Sequence, residues 1–268
     1  MRKIVYYILY GLVLTGKSIC SLKISSNPLK QLKRRYISPI IKNLTTVRSY
    51  KQFPEKPHYE DINSHTCIVF FTGASSFISP KIYNNFFTML MKEEIDIYVP
   101  SFNYKNIDIL VDTLSNEYKQ VVIAGHSSGA TVALKNIENK KIDTEKIKKL
   151  ILLDPVNTQL SNSSKPYNIE TIASVLFLYA NKSYKITFDP FGLPFIPILK
   201  IPPNMLISEP SSTIQIVSAP QYGHADILNK EYGDFMHNTR IAVGNKNRSY
   251  ESINKYHEWL AQKIKSYL

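Results

Sequence analysis

Acidic residues are absent from the first 54 positions of this 268-residue chain, which carry eleven basic side chains before Glu55 supplies the first carboxylate. The formal net charge of +12 is therefore concentrated in that stretch, and residues 55–268 hold 22 basic against 21 acidic side chains. A surface that tracks nucleic-acid phosphates needs clustered cations on the folded body, so the near-neutral remainder excludes that class. Cysteine is scarce as well, with only Cys20 and Cys67. One thiol in the leader and one in the body rule out a disulfide framework. Cys67, inside Cys-Ile-Val-Phe-Phe, is expected as a small core residue. Long apolar runs are missing too, because Ile4–Gly16 falls short of the roughly 20 residues that span a bilayer as a helix. Glycine numbers only nine, which gives weight to the pair at Gly125 and Gly129.

What is present at the start is a leader. Met1-Arg2-Lys3 ahead of Ile4–Gly16 has the layout of a signal peptide, and Ser18-Ile19-Cys20 offers small residues for cleavage. Tyr6, Tyr7 and Tyr10 also suit a membrane interface, so an uncleaved anchor is the alternative. Residues 21–50 form a basic segment without acids. A signal peptide followed by such a segment has the form of the two-part leader that reaches plastids enclosed by extra membranes. A basic linker, or cations giving peripheral contact with anionic lipid, is the other reading. The chain thus divides into a leader over 1–20, a basic segment over 21–50 and a folded body over 51–268, and it is expected to enter the secretory pathway.

From residue 66 short apolar runs alternate with helical patterns, the signature of a largely parallel sheet with crossover helices. Strands are expected at Cys67–Phe71, Ile95–Val99, Gln120–Ala124, Leu150–Leu153, Val175–Tyr179 and Ile214–Val217. Helices are expected over Pro80–Lys92, Ile107–Tyr118, Ser128–Asn139 and Tyr250–Leu268. Six of the fifteen prolines fall in Asp189–Pro210, marking an irregular excursion before the last strand.

The sharpest local feature is Gly125-His126-Ser127-Ser128-Gly129, which follows an apolar strand and opens a helix. About 0.03 Gly-x-Ser-x-Gly sequences are expected by chance in a chain of this composition. The context is that of a nucleophile elbow, in which the glycines permit a tight turn and Ser127 projects its hydroxyl. Serine needs a base to become a nucleophile, usually a histidine oriented by a carboxylate. Of six histidines, His224 in Tyr222-Gly-His-Ala-Asp226 fits best, because it follows the last strand and completes the chain order Ser, Asp, His. His58 and His65 precede the sheet, His126 lies inside the elbow facing away from Ser127, and His237 and His257 belong to the C-terminal region, with His257 as a surface or packing residue. Two carboxylates compete to orient the base. Asp154 ends a strand directly in Leu-Leu-Asp-Pro-Val, and Asp189 lies well beyond the end of the next one; strand-tip placement favours Asp154. Asp226 reads as a capping or solvated group. Oxyanion donors are expected from the Ser128 amide and from Ala74 or Ser75 in the loop after the first strong strand. Phe188, Phe191 and Phe195, beside the expected rim, could cover a lipophilic substrate or simply cap the core. This chemistry needs no metal and no cofactor.

Four stretches, Phe71-Thr-Gly-Ala74, Gly125-His-Ser-Ser-Gly129, Leu152-Leu-Asp-Pro-Val156 and Tyr222-Gly-His-Ala-Asp-Ile-Leu228, resemble the chlorophyllases in order and spacing over residues 66–268. The pairing of Asp-Pro-Val with a late Tyr-Gly-His-x-Asp is the more specific part. The resemblance implies an α/β-hydrolase fold: a mostly parallel central sheet flanked by helices, with an apolar Pro-rich loop before the last strand. It also implies hydrolysis of the phytyl ester of chlorophyll by Ser127, Asp154 and His224. Ser128 and Ala130 stand where the family carries Arg and Gly, Thr72 stands where it carries His, and the late cysteines of plant members are missing. The expected partner is a small lipophilic ester, with chlorophyll first. The alternatives are a general carboxylesterase or lipase, and an idle scaffold that binds lipid or pigment.

Overall fold

The computed structural model describes residues 51–53, 66–76, 78–100, 105–156, 166–169, 172–181, 206–208, 213–238, 245 and 248–268. The leader, His58, His65 and the Pro-rich stretch with Phe188, Asp189, Phe191 and Phe195 lie outside the described residues.

Seven strands form one sheet: β1 (Lys51–Phe53), β2 (Thr66–Phe71), β3 (Ile95–Pro100), β4 (Gln120–His126), β5 (Ile147–Leu153), β6 (Ser174–Ala180) and β7 (Thr213–Ala219). Their order is β1-β3-β2-β4-β5-β6-β7, and every neighbouring pair is parallel. The helices are a short turn α1 (Gly73–Ser76), then α2 (Asn84–Lys92), α3 (Ile107–Glu117), α4 (Ser128–Glu138), α5 (Lys230–Asn238) and α6 (Tyr250–Tyr267). With the exchange of β2 and β3 and the serine turn at the tip of β4, this is the α/β-hydrolase arrangement.

The inner strands β2, β4, β5 and β6 carry long apolar runs because both faces of the sheet are covered there, whereas most of the edge strand β7 is exposed. On one face Val69, Ile123, Leu152 and Phe177 meet Leu110 and Val111 of α3 and Ala130 and Leu134 of α4. On the other, Ile68, Val122, Ile151 and Leu176 meet Phe86, Phe87 and Leu90 of α2 and Leu260, Ala261 and Ile264 of α6. Alternate residues of one strand thus serve opposite layers. Cys67 is a buried core thiol, as expected.

The expected Pro80–Lys92 helix is two pieces, a tight 3-10 turn over Pro80–Tyr83 and then α2. A further 3-10 turn, His224–Ile227, carries the histidine loop.

Candidate active site

β4 runs into α4 at Ser127, whose backbone is held at φ 56°, ψ −130°, a region that costs a non-glycine residue on the order of 1–3 kcal/mol. The surroundings enforce it. A Cβ at Gly129 would lie 2.2 Å from the Phe71 carbonyl oxygen, and one at Gly125 would lie 2.5 Å from the Ala130 nitrogen. Only glycine lets α4 rest this closely on the end of β2 and on its own turn. The Ser127 amide donates to the Leu153 carbonyl at 3.0 Å, and the Ser127 carbonyl accepts from Ala130 and Val156, both at 3.2 Å. The serine turn is therefore tied to the segment that leaves β5.

Asp154 is the first residue of that segment. It too has positive φ, 44°, with Pro155 fixing the chain beyond it. Its amide donates to Leu178 O at 2.6 Å, and its Oδ1 accepts from the Ala180 amide at 3.2 Å. Its Oδ2 lies 2.6 Å from Nδ1 of His224. Both side chains are nearly buried, and they are 70 residues apart in sequence. A carboxylate at Nδ1 fixes the ring's tautomer and leaves Nε2 as the nitrogen that can take a proton.

His126, expected to face away from the serine, is part of this cluster. Its ring lies 4.6 Å from that of His224, centroid to centroid, tilted by 31°. Its Nδ1 is 2.8 Å from the Tyr83 hydroxyl, which also accepts the Gly73 amide at 2.9 Å. Burial first, and then the neighbouring His224, hold the His126 ring well below the usual histidine range, so it is neutral. No local signal marks Tyr83, because it reaches the elbow from 43 residues away.

The expectation that Asp226 is solvated is corrected. It does cap its 3-10 turn, taking the Gly223 amide on Oδ2 at 2.7 Å, but it is wholly buried. It pairs with the Arg248 guanidinium and accepts the Asn245 amide at 2.8 Å. Burial pushes its carboxyl up, and Arg248 and the two amides pull it back. Arg248 also reaches Asp234 of α5 at 2.8 Å. His257 is likewise wholly buried, 3.0 Å from the Asp226 carbonyl oxygen through Nε2, so of its two expected roles the structure shows packing. The loop before and after His224 is thus braced by an ion-pair network whose partners come from α5 and the start of α6.

Ser128 is the first residue of α4, where helix amides converge on the space beyond the serine. Ala74 lies in α1, which packs against α4. The Gly73 amide donates to the Tyr83 hydroxyl at 2.9 Å, so it is already engaged. A small cavity beside His224 is bounded by Asp154, His126, Gly223, Tyr256 and Leu260. Among the described residues no group of three His, Cys, Asp or Glu is placed to hold a metal ion.

No protein-family model matches this sequence, and no curated protein does. Solved structures similar to it include the esterase domain of a Rhodothermus marinus protein, at 12% identity and TM-score 0.45 over 77% of this chain and 89% of that one. A structure from work on the metagenome-derived lipolytic enzymes LipS and LipT is similar at 8% identity and TM-score 0.41, over 75% and 94% of the two chains. Aspergillus fumigatus lipase B is similar at 13% identity and TM-score 0.34, over 76% of this chain and 63% of its own.

Proposed function

We propose that the protein is a serine hydrolase of lipophilic carboxylic esters, with Ser127 as nucleophile, His224 as general base and Asp154 as the carboxylate that orients it. The observation that carries this reading is the 2.6 Å Asp154–His224 hydrogen bond beside a serine held at positive φ. His224 Nε2 takes the Ser127 hydroxyl proton as Oγ attacks the ester carbonyl. The Ser128 and Ala74 amides receive the oxyanion, and the tetrahedral intermediate collapses as His224 protonates the leaving alcohol. Water then enters and gives a proton to His224 as its oxygen attacks the acyl carbon, and His224 returns that proton to Ser127 Oγ as the acyl–Oγ bond breaks and the acid leaves.

Fluorophosphonate should label the wild-type protein at Ser127 and should not label Ser127→Ala; absence of wild-type labelling would refute the reading. Asp154→Asn should lower kcat by on the order of 10⁴ by losing the correct tautomer, while Asp189→Asn should leave it near wild type. The reverse pattern would move the acid to Asp189.

For the substrate we propose chlorophyll, cleaved to chlorophyllide and phytol, on the strength of the Asp-Pro-Val and Tyr-Gly-His-x-Asp stretches, with Phe188, Phe191 and Phe195 covering the lipophilic part. The second reading is a general carboxylesterase or lipase, favoured by Thr72, Ser128 and Ala130 where the resembled family differs. Chromatography after incubation with chlorophyll a separates the two: short-chain ester turnover without chlorophyllide leaves only the second. We assign the acid-free leader to the secretory pathway and onward to a plastid. A cytosolic signal from residues 1–50 fused to a fluorescent protein would exclude that.

A further inference from the structure

The mechanism above uses His224 and leaves its neighbour His126 without a task, although His126 is one of the most constrained polar groups in the molecule. It is 2% exposed, at the C-terminal end of β4, with its ring against the ring of the proposed base. On one side it meets Tyr83, which is fully buried at the end of the 3-10 turn that precedes α2. On the other, Nε2 is buried and meets no partner in hydrogen-bonding geometry among the described residues.

The proton positions follow from counting donors. The Gly73 amide can only donate, so it uses one lone pair of the Tyr83 hydroxyl. That hydroxyl is buried and must place its own proton, and His126 Nδ1 at 2.8 Å is the acceptor that the structure gives it. Turning the bond round would orphan a buried O–H, at a cost of about 1–3 kcal/mol. His126 therefore carries its proton on Nε2, and the residue borders the same cavity as Asp154 and His224. The His224 ring packs against this imidazole, 4.6 Å away between centroids, so whatever fixes the His126 ring also fixes the face on which the base rests.

We propose that Gly73, Tyr83, His126 and the His224 loop form a strut that ties the oxyanion-side turn α1 to the base, with Tyr83 and His126 as positioning residues. The proposal rests on His224 being the base. Its physical content is that two parts of the site, contributed by the ends of β2 and β7, are fixed to each other through one hydroxyl and one neutral imidazole. Both side chains are buried behind the base, so they are assigned to positioning, acting on how well the transition state is met.

The test compares wild type, Tyr83→Phe, His126→Phe and the double variant as full chains. Each single change should lower kcat by on the order of 10- to 100-fold, the loss expected of a displacement near 1 Å, with KM within about twofold. The double variant should be no worse than the poorer single one, because both break the same strut. Additive losses, or a rise in KM at unchanged kcat, would overturn the proposal. A second measurement is independent of activity. Long-range proton–nitrogen spectra of the histidine rings in wild type should show His126 protonated on Nε2 and bare on Nδ1, and Tyr83→Phe should shift the His224 ring nitrogens. A His126 protonated on Nδ1, or a His224 signal indifferent to Tyr83→Phe, would overturn the strut even if every variant folds poorly. If wild type is not labelled by fluorophosphonate, the hydrolase reading falls, and these spectra alone decide the strut.

Discussion

Ser127 is held in a conformation that suits glycine, and the strain is independent of its hydroxyl. Ser127→Gly should therefore be more stable than Ser127→Ala, by about 1 kcal/mol once the extra entropy of glycine in the unfolded chain is offset. Both variants should be inactive, and urea denaturation midpoints compare them directly. Equal stability would mean that the turn relaxes without cost. The same scale explains what the sequence could reveal of the site. Ser127 is legible because its constraint is local, two glycines four residues apart between a strand and a helix. Asp154 is legible because Pro155 holds it at a strand tip. Tyr83 and His126 were not, since their pairing spans 43 residues and rests on a hydrogen bond and an edge-to-face ring contact that no spacing records. Arg248 was missed for the same reason, 22 residues from the carboxylate it neutralises.

At the level of elements, β2 to β6 announce themselves through apolar runs because most of their residues are buried, while β7 carries a short apolar stretch, Ile214–Val217, although most of the strand is exposed. β1 has only three residues and no such pattern. α5 was invisible because Gly233 is its one fully buried residue, and its apolar side chains Tyr232 and Met236 only partly bury against the core. Its function is instead to support Arg248. A Cβ at Gly233 would lie 1.6 Å from a guanidinium nitrogen, so the arginine crosses the helix where a side chain is missing. Gly233→Ala should expel the guanidinium and leave Asp226 buried and unpaired, at a cost of about 3–5 kcal/mol. Ester turnover should fall with it, because the Gly223 amide and His224 lose their anchor. Thermal melting with a parallel activity assay measures both. A stable, active variant would show that Arg248 is dispensable.

Across the whole molecule, protonation sets an acid limit. His257 is buried between α2 and the histidine loop, and burial pushes its ring down to about 4 from 6.5. Above about pH 6.5 the ring is neutral in both folded and unfolded chains, so it contributes no pH dependence there. Between 6.5 and 4 the unfolded chain takes up a proton that the folded one refuses, and stability falls as pH falls, by about 3 kcal/mol in all. His126, lowered by burial, acts in the same direction. His257→Gln keeps a donor for the Asp226 carbonyl and removes the titration, so its melting temperature should vary less over this window than that of wild type. An unchanged slope would place the sensitivity elsewhere. The strand order has a further consequence for how the protein is made. From β2 the sheet extends through β4, β5, β6 and β7 in the order of synthesis, so a growing chain can add these strands at one edge, and only β3 has to enter between two others, β1 and β2. The base arrives only with residue 224, and α6, which covers Phe86, Phe87 and Leu90 of α2, arrives last of all. Until it emerges from the ribosome, an early helix waits with its greasy face uncovered. This is the interval in which a nascent chain most needs a chaperone, and it ends only after the proposed catalytic residues have all been made.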